Sequence, residues 1–308
     1  MIDDGGRLLG IGVASTPIQF SGDGGAEQDP EVLWQAIVGA SKEAIAAVPA
    51  GSPPIVAVAV TAQWSTTVPV DADGHAVGNL ISWMDRRGGR YAHEACGPGL
   101  RVVGYNAAKI VRWLRATGGA PSLAGRDPIG QILFLRHERP EVYEKASYFV
   151  EPGDYLTSRM TGRVQCSAES ATMCWGTDTR DIANIHYDEK LVRMSGLDPE
   201  KLPPIVPSNS VVGELLPDVA SSFGIDPVPV IASSPDVTSA AVGSGAVADG
   251  AAHLYIGTSG WLSCHLPKRK TDVLHQMAAL PSSLPGRYLL ATEQQTAGAT
   301  LDHLKDVL

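Results

Sequence analysis

The chain has 308 residues, of which 44% are apolar and 19% charged, and its formal net charge is −9. An acidic surface repels nucleic-acid phosphates, which argues against DNA or RNA as a partner. The 4 cysteines form no C-x-x-C pair, the N-terminus lacks a signal-peptide pattern and no apolar run approaches the ~20 residues that span a bilayer, so we expect a cytoplasmic protein with no membrane partner.

Three local signals follow one another in the first 63 residues. Residues 3–6 (DDGG) predict a hairpin turn followed by a strand. Asp29 with Pro30 behind it predicts a capped helix that extends to Val48. The Val-rich run 54–63 is typical of a strand buried on both faces.

The rest of the chain continues the alternation. Helices are predicted for 107–117 and 128–146, and the Pro-rich stretch 201–217 predicts an irregular connection. Apolar runs at 228–233 and 251–258 predict further buried strands. Strands that alternate with helices indicate an α/β fold with a largely parallel core.

Both ends of the chain look cut from a longer protein. Only Met1 and Ile2 precede the first turn, and Leu301, Leu304 and Leu308 have helical spacing with no cap after them. We therefore expect truncation at both ends. A native hairpin tip and a frayed terminal helix are the alternative.

Several common catalytic motifs are absent from the sequence. It contains no G-x-x-x-x-G-K-[ST], G-x-G-x-x-G, H-E-x-x-H or G-x-S-x-G, and its 8 histidines have no metal-ligand spacing. The sequence therefore gives no support to a P-loop NTPase, a dinucleotide enzyme, a zinc hydrolase or a serine hydrolase.

Asp236 lies where a strand pattern gives way to a helix pattern. Residues 233–235 (SSP) favour a helix start, which puts Asp236 in the first turn, where it would offset the helix dipole by ~0.3–1 kcal/mol. Strand ends in α/β folds are also where ligands bind. A carboxylate there could take the proton from a hydroxyl that attacks a phosphoryl group.

The segment 257–260 (GTSG) follows the next strand pattern, about 20 residues after Asp236. Gly and Ser favour a tight hairpin turn. The alternative is a phosphate cradle, because glycine lets the backbone approach closely and hydroxyls donate hydrogen bonds.

Taken together, these residues resemble the FGGY carbohydrate kinases, closest to their xylulokinase-like branch. The resemblance covers essentially the whole chain in the family's order. It is carried by seven segments: EQDP at 27–30, AVTAQWSTTVPVD at 59–71, ISWMDRRG at 81–88, EPGDYLTSRMTG at 151–162, SAESATMCWGTDTRDI at 167–182, Asp236, and IGTSG at 256–260.

The resemblance implies an actin-like / RNase H-like ATPase fold and transfer of the ATP γ-phosphoryl group to a sugar or polyol hydroxyl, with Mg²⁺. Asp236 would be the catalytic base. The residues that would face the sugar are Gln63, Trp64, Ser65 and Asp85, and those that would face the ATP phosphates are Gly257, Thr258 and Ser259. Trp64 is open to a second interpretation, as a plain core residue. No protein metal ligand is assigned, and a homodimer is the one assembly considered.

The sequence departs from the family in ways that bear on activity. The family's opening D-x-G-T strand and its C-terminal adenosine segment have no counterpart here, so we expect a first domain (1–247) that is nearly complete and a second (248–308) that has only begun. Trp64 and Ser65 replace the Met-His of typical xylulokinases, and Ser234-Pro235 replaces Gly-Gly. Since phosphoryl transfer relies on positioning and metal neutralisation, we expect this chain alone to have little or no kinase activity.

Two alternatives to a sugar kinase remain open. One is a non-catalytic, sugar-binding remnant of the same fold, which an upstream in-frame D-x-G-T coding segment would argue against. The other is a different actin-like ATPase such as a chaperone, which TAQW and SWMDRR, the segments expected on the sugar side, argue against.

Overall fold

The computed structural model describes residues 1–97, 99–257, 260–272, 275, 277–294 and 297–307. The helices within this part of the chain are α1 (Pro30–Ala46), α2 (Gly89–Ala95), α3 (Ala107–Thr117), α4 (Pro128–Glu138), α5 (Pro140–Lys145), α6 (Pro152–Thr161), α7 (Ala168–Thr172), α8 (Glu189–Ser195), α9 (Pro217–Phe223), α10 (Asp236–Gly243) and α11 (Gly298–Val307), with a 3₁₀ turn at Pro199–Lys201.

Most of the strands between these helices are short. They are β1 (Gln19–Phe20), β2 (Ala26–Gln28), β3 (Thr61–Ala62), β4 (Val68–Val70), β5 (Leu80–Ile81), β6 (Arg101–Val102), β7 (Tyr105–Asn106), β8 (Tyr148–Val150), β9 (Cys166–Ser167), β10 (Thr177–Asp178), β11 (His186–Tyr187), β12 (Ile205–Val206), β13 (Val211–Glu214), β14 (Pro229–Ile231), β15 (Ser234–Pro235), β16 (Ala252–Ile256), β17 (Gly260–Leu266), β18 (Thr271–Asp272), β19 (Met277–Pro281) and β20 (Tyr288–Gln294).

The helix predictions hold, with one division. Asp29 caps α1 by accepting hydrogen bonds from the backbone N–H groups of Glu31 and Val32, and α3 has the predicted bounds. The single helix predicted for 128–146 is two helices, because Pro140 lacks the N–H that would continue α4.

The segment 54–63, predicted as a strand buried on both faces, pairs along one side within the described residues. The prediction that both of its faces are buried is wrong. Residues 58–62 run parallel to 230–235: Ile231 N donates to Val58 O at 2.8 Å and Ser234 N to Val60 O at 3.0 Å. Val56 is 75% exposed. Within the described residues, this segment is therefore the edge of its sheet rather than an inner strand.

The prediction of a largely parallel core is also wrong. Among the described strands, only β3–β15 and β9–β12 pair in parallel. The largest sheet, ordered β16-β17-β20-β19-β18, is antiparallel throughout. The run predicted as a buried strand at 251–258 is its edge strand β16, where Leu254 is 64% exposed.

The remaining predictions concern the chain ends and the Pro-rich stretch. The hairpin turn at 3–6 is present, with Ile2 opposite Leu8, but the strand expected directly after it is a single bridge. The terminal helix is α11. The stretch 201–217, predicted as irregular, contains the short strands β12 and β13.

Two apolar clusters form the main core. One is built around Trp113 and helix α4, and the other packs α6 and α9 against β4 and β14. A third, smaller cluster joins α10 to the large antiparallel sheet through Val237, Ala241 and Leu289. Among the described residues, none of the helices combines the length and apolarity that crossing a membrane requires.

Candidate active site

The parallel pair β3–β15 brings two predicted site segments to one edge of the sheet. Ser234 lies opposite Thr61 and Pro235 opposite Ala62. Because parallel strands end at the same edge, the loop after β3, residues 63–66, and the start of α10 leave the sheet side by side. After the roles predicted from the sequence, we call residues 63–66 the sugar loop and residues 233–236 the base segment.

Asp236 is the first residue of α10, as predicted. One of its carboxylate oxygens, Oδ1, accepts a hydrogen bond from Val237 N at 2.9 Å. Its side chain is open to solvent, yet the protein atoms around it are close enough for desolvation to raise its pKa above the usual value. An accessible carboxylate in a partly desolvating recess can both reach a ligand and accept a proton from it.

The sugar loop is held by hydrogen bonds from several elements. Gln63 Nε2 donates to Gln28 Oε1 at 2.8 Å. Gln131 Nε2 donates to Ser65 O at 3.0 Å. Ser65 has φ = 62°, a left-handed conformation that a non-glycine residue adopts only where its surroundings enforce it.

Trp64 is half-buried and packs beside the cluster of Val237, Ala241 and Leu289. Its indole Nε1 is buried without a hydrogen-bond acceptor among the described residues. The ring therefore has the apolar packing of a core residue, whereas the indole nitrogen still has a hydrogen bond to give. A ligand hydroxyl could accept that hydrogen bond.

Asp127 lies on the far side of Ser65 and was not singled out from the sequence. It accepts hydrogen bonds from Ser65 Oγ at 3.3 Å and from Trp175 Nε1 at 2.6 Å. Burial raises its pKa to about 6 although these hydrogen bonds lower it. Asp127 thus helps to fix the strained residue of the sugar loop.

Helix α6 begins directly behind both segments. Glu151, just before the helix, accepts a hydrogen bond from Thr66 N at 2.9 Å, and Asp154 in its first turn accepts one from Ser233 Oγ. Gly153 makes this close approach possible, because a Cβ there would lie 2.7 Å from Ser233 Cβ. The sequence signal for these two contacts is the pair of acids that flanks Pro-Gly in EPGD. The partner of Glu151 lies 85 residues away in the sequence and that of Asp154 lies 79 residues away.

Glu169 on α7 is a further buried acid, close to Ser234 and Thr238 at the start of α10. It is 0% exposed. Burial raises its pKa to about 7, and the nearby hydroxyls of Thr238 and Ser234 lower it. This carboxyl lies behind the start of α10 rather than beside solvent.

The described hydrogen bonds of Asp85 do not involve the sugar loop. Asp85 is 1% exposed, and Oδ2 accepts hydrogen bonds from Ala26 N at 2.9 Å and from Arg87 Nη2 at 2.6 Å. Arg87 also contacts Glu27. With these partners Asp85 stabilises the junction of β2 and the 82–88 turn, and its role in sugar binding remains a prediction.

Of the three predicted phosphate-contacting residues, Thr258 and Ser259 lie outside the described residues. Gly257 follows β16, and Ile256 lies opposite Gly260 across the β16–β17 pair. The flanking strands therefore have the antiparallel pairing of the hairpin alternative. The phosphate cradle stays a prediction.

The described residues include one cluster of three potential metal-ligating side chains, Asp71, Asp73 and His75. It lies in a β-hairpin turn, where Asp71 Oδ1 accepts hydrogen bonds from the backbone N–H groups of the other two. Those bonds explain the cluster without a metal.

Relatives of known sequence are sugar kinases. The chain is 27% identical over 280 residues to the xylulose kinase of Escherichia coli (strain K12), covering 90% of this chain and 54% of that protein. It is 23% identical over 248 residues to the gluconokinase of Bacillus subtilis (strain 168), covering 80% and 45%. The chain thus spans about half the length of the curated relatives it matches.

Solved structures of sugar kinases share the fold. A xylulose kinase from Brucella ovis has a TM-score of 0.86 at 20% identity, covering 99% of this chain and 60% of that one. A Plasmodium falciparum glycerol kinase with ADP has a TM-score of 0.78 at 19% identity, covering 94% and 57%. At these identities the likeness shows the fold alone, and it confirms the predicted actin-like fold.

The match to a family model covers the whole region that contains the sugar loop, α6 and the base segment. The model describes the N-terminal domain of the FGGY family of carbohydrate kinases and matches residues 1–243. This protein therefore belongs to the FGGY family of carbohydrate kinases.

Proposed function

We propose that this chain supplies the sugar-binding side of an ATP-dependent sugar or polyol kinase, with Asp236 as the catalytic base. One observation carries the proposal: Asp236 begins a helix at the sheet edge from which the sugar loop also leaves. A carboxylate and a set of hydrogen-bonding groups at one strand-end edge are what hydroxyl activation needs.

In the proposed reaction, Asp236 accepts the proton of a sugar hydroxyl as its oxygen attacks the γ-phosphorus, and ADP leaves. The raised pKa of Asp236 favours this role, because a base is most effective when its pKa lies near the working pH. Gln63, the Trp64 indole and Ser65 would orient the sugar. Such positioning is worth a large part of the barrier in phosphoryl transfer.

The acceptor class is the finer part of the proposal. Relatives include a xylulose kinase and a gluconokinase, and a xylulose-like ketose is our first candidate. Trp64 and Ser65 give the sugar loop one indole donor and one hydroxyl group. A loop with these groups suits a neutral polyhydroxy ligand better than an anionic one, because it carries no cation of its own.

ATP and Mg²⁺ are proposed on the basis of the family. Mg²⁺ is commonly held by one or two carboxylates and by the substrate phosphates. The described residues around Asp236 contain no cluster of three ligating side chains. We therefore propose that the nucleotide phosphates would hold the metal, and we assign it no protein ligand. Gly257, Thr258 and Ser259 remain the proposed contacts to the phosphates.

The second candidate is a sugar-binding protein without turnover. The observation that favours it is the number of groups that fix the sugar loop, in contrast to a single accessible carboxylate in the base segment. Sugar binding requires only the groups that fix the sugar loop, whereas phosphoryl transfer requires further groups beside a single carboxylate.

A coupled ADP-release assay with a panel of ketoses, aldonates and polyols distinguishes the two. It uses the 308-residue chain beside a version extended at both ends to the length of its relatives. We expect sugar-dependent ADP release from the extended version. A sugar that raises the melting temperature of both proteins without ADP release from either would support the binding protein instead.

A further inference from the structure

A small cavity of about 30 Å³ lies between Thr66, at the end of the sugar loop, and helix α6. Its polar lining includes Thr66, Thr67, Glu151, Asp154, Cys166 and Tyr187. Thr67 is 1% exposed, Asp154 1% and Glu151 6%. The volume is enough to hold a water molecule, and no part of the proposed reaction uses this space.

Each of the two acids in the cavity wall holds one segment of the candidate site. Glu151 Oε2 accepts a hydrogen bond from Thr66 N at 2.9 Å, at the end of the sugar loop. Asp154 Oδ1 accepts one from Ser233 Oγ, in the base segment, and another from Ser167 N at 3.2 Å. The two acids lie three residues apart at one helix start, so they tie the two segments to a common support.

The second oxygen of each acid has no hydrogen bond of good geometry among the described residues, although Ser170 and the Glu151 backbone lie near the Asp154 carboxyl and the Ser65 backbone lies near that of Glu151. These atoms are Glu151 Oε1 and Asp154 Oδ2, and the hydroxyl of Thr67 is a third buried polar atom without a partner. Buried polar atoms left unbonded are costly, whereas a buried water typically makes about three hydrogen bonds. One water in this cavity would have three such atoms to bond.

The charge balance argues for water and a proton rather than a cation. No lysine, arginine or histidine lines the cavity. Burial raises the pKa of Asp154 to about 7 and that of Glu151 well above its usual value, and it also raises the pKa values of the two lining cysteines and of Tyr187, which stay neutral. A cavity of this volume has no room for the several waters that Mg²⁺ usually keeps or for the ~6–8 oxygen ligands that Ca²⁺ takes.

We propose that Glu151 and Asp154 are positioning residues that couple the sugar loop to the base segment, and that one water molecule in the cavity between them completes this link. A shift of either segment would then displace the other through the first turn of α6. Only the sugar-binding role of the loop rests on the proposed function. The coupling itself is a property of the fold and is measured without any ligand.

Amide hydrogen exchange tests the coupling directly. In the 308-residue protein, Asp154→Ala removes the bond to Ser233 but none of the described bonds to the sugar loop. We expect the exchange of Thr66 N–H to rise by about tenfold or more, because its acceptor Glu151 loses its support. Ser195→Ala is the matched control, since it removes a buried hydroxyl that bonds within its own helix, and it should leave Thr66 unchanged.

Thr67→Val keeps the experiment decisive if Asp154→Ala fails to fold. The substitution keeps the shape of the side chain and removes only the hydroxyl that would hold the water. A crystal structure of the wild-type protein should show one water within hydrogen-bond distance of Glu151 Oε1 and Asp154 Oδ2, and Thr67→Val should raise the exchange of Thr66 and of Ser234. A cavity without water density, or unchanged exchange in both variants, overturns the proposal.

Sugar affinity is a further readout, and it distinguishes a positioning role of Asp154 from a purely structural one. If the wild type binds a sugar, Asp154→Ala should raise its Kd about tenfold, and Asp154→Asn, which keeps an oxygen acceptor for Ser233, should restore it. Equal losses in both variants would count against positioning. Failure of the wild type to bind any sugar would count against the proposed function and leave the exchange result standing.

Discussion

Gly153 offers the sharpest test of how α6 seats the two site segments. A Cβ at this position would lie 2.7 Å from Ser233 Cβ, 3.0 Å from Ser233 Oγ and 3.5 Å from Ala62 Cβ. Ser233 is 2% exposed, so it has little room to move. The Gly153→Ala variant must therefore displace either α6 or the base segment.

The expected loss follows from two opposed effects. Overpacking a buried contact costs about 1–3 kcal/mol. The gain from replacing glycine by alanine in a helix is about 0.5–1 kcal/mol and is largest away from the helix ends. We therefore expect the free energy of unfolding of Gly153→Ala to fall by about 1–2 kcal/mol, as measured by urea denaturation.

Gly39 is the matched control for this substitution. It lies in α1, where a Cβ would meet nothing within 4 Å. Gly39→Ala should raise the free energy of unfolding by about 0.5–1 kcal/mol. If both variants were stabilised alike, the close packing of α6 on the base segment would be refuted.

Two further predictions concern buried charges. Burial raises the pKa of Asp154 to about 7, from 3.8, so the folded state holds this proton more tightly than the unfolded state. The stability of the protein should therefore fall as pH rises from about 4 to 7. Asp154→Asn does not titrate and should show a smaller drop in Tm over that range. Equal drops in the two proteins would contradict this assignment. Arg87 contacts Glu27 and Asp85 with its side chain 8% exposed, so Arg87→Met should lower the free energy of unfolding by about 3–5 kcal/mol in urea denaturation, because it leaves the buried Asp85 without its cation and Glu27 with Arg139 alone. A loss below about 1 kcal/mol, the value of a surface pair, would show that solvent reaches this cluster.

Local chemistry made part of the structure predictable. Asp29 and Pro30 define the start of α1, and the small residues before Asp236 define the start of α10. These features depend on neighbours within a few residues, which sequence patterns record. The family motifs added the order of the segments.

What the sequence did not predict depends on distant partners. The composition of the apolar run 54–63 does not reveal that this segment pairs along one side among the described residues. An edge strand and an inner strand can have the same composition. Nor could EPGD show that Glu151 bonds to Thr66 or that Asp154 bonds to Ser233, since those partners lie in loops that are distant in the sequence. Asp127 was missed for the same reason.

A comparison of Asp236→Asn with the wild type, in the version extended to the length of its relatives, tests the central claim most directly. Sugar binding by calorimetry and ADP release would be measured on the same preparations. We predict that the sugar Kd changes less than about threefold while turnover falls about 10²–10⁴-fold, because the variant keeps the shape of the side chain and loses the base. Turnover within about tenfold of the wild type would contradict the account, and Asp236 would then be a helix-start residue alone.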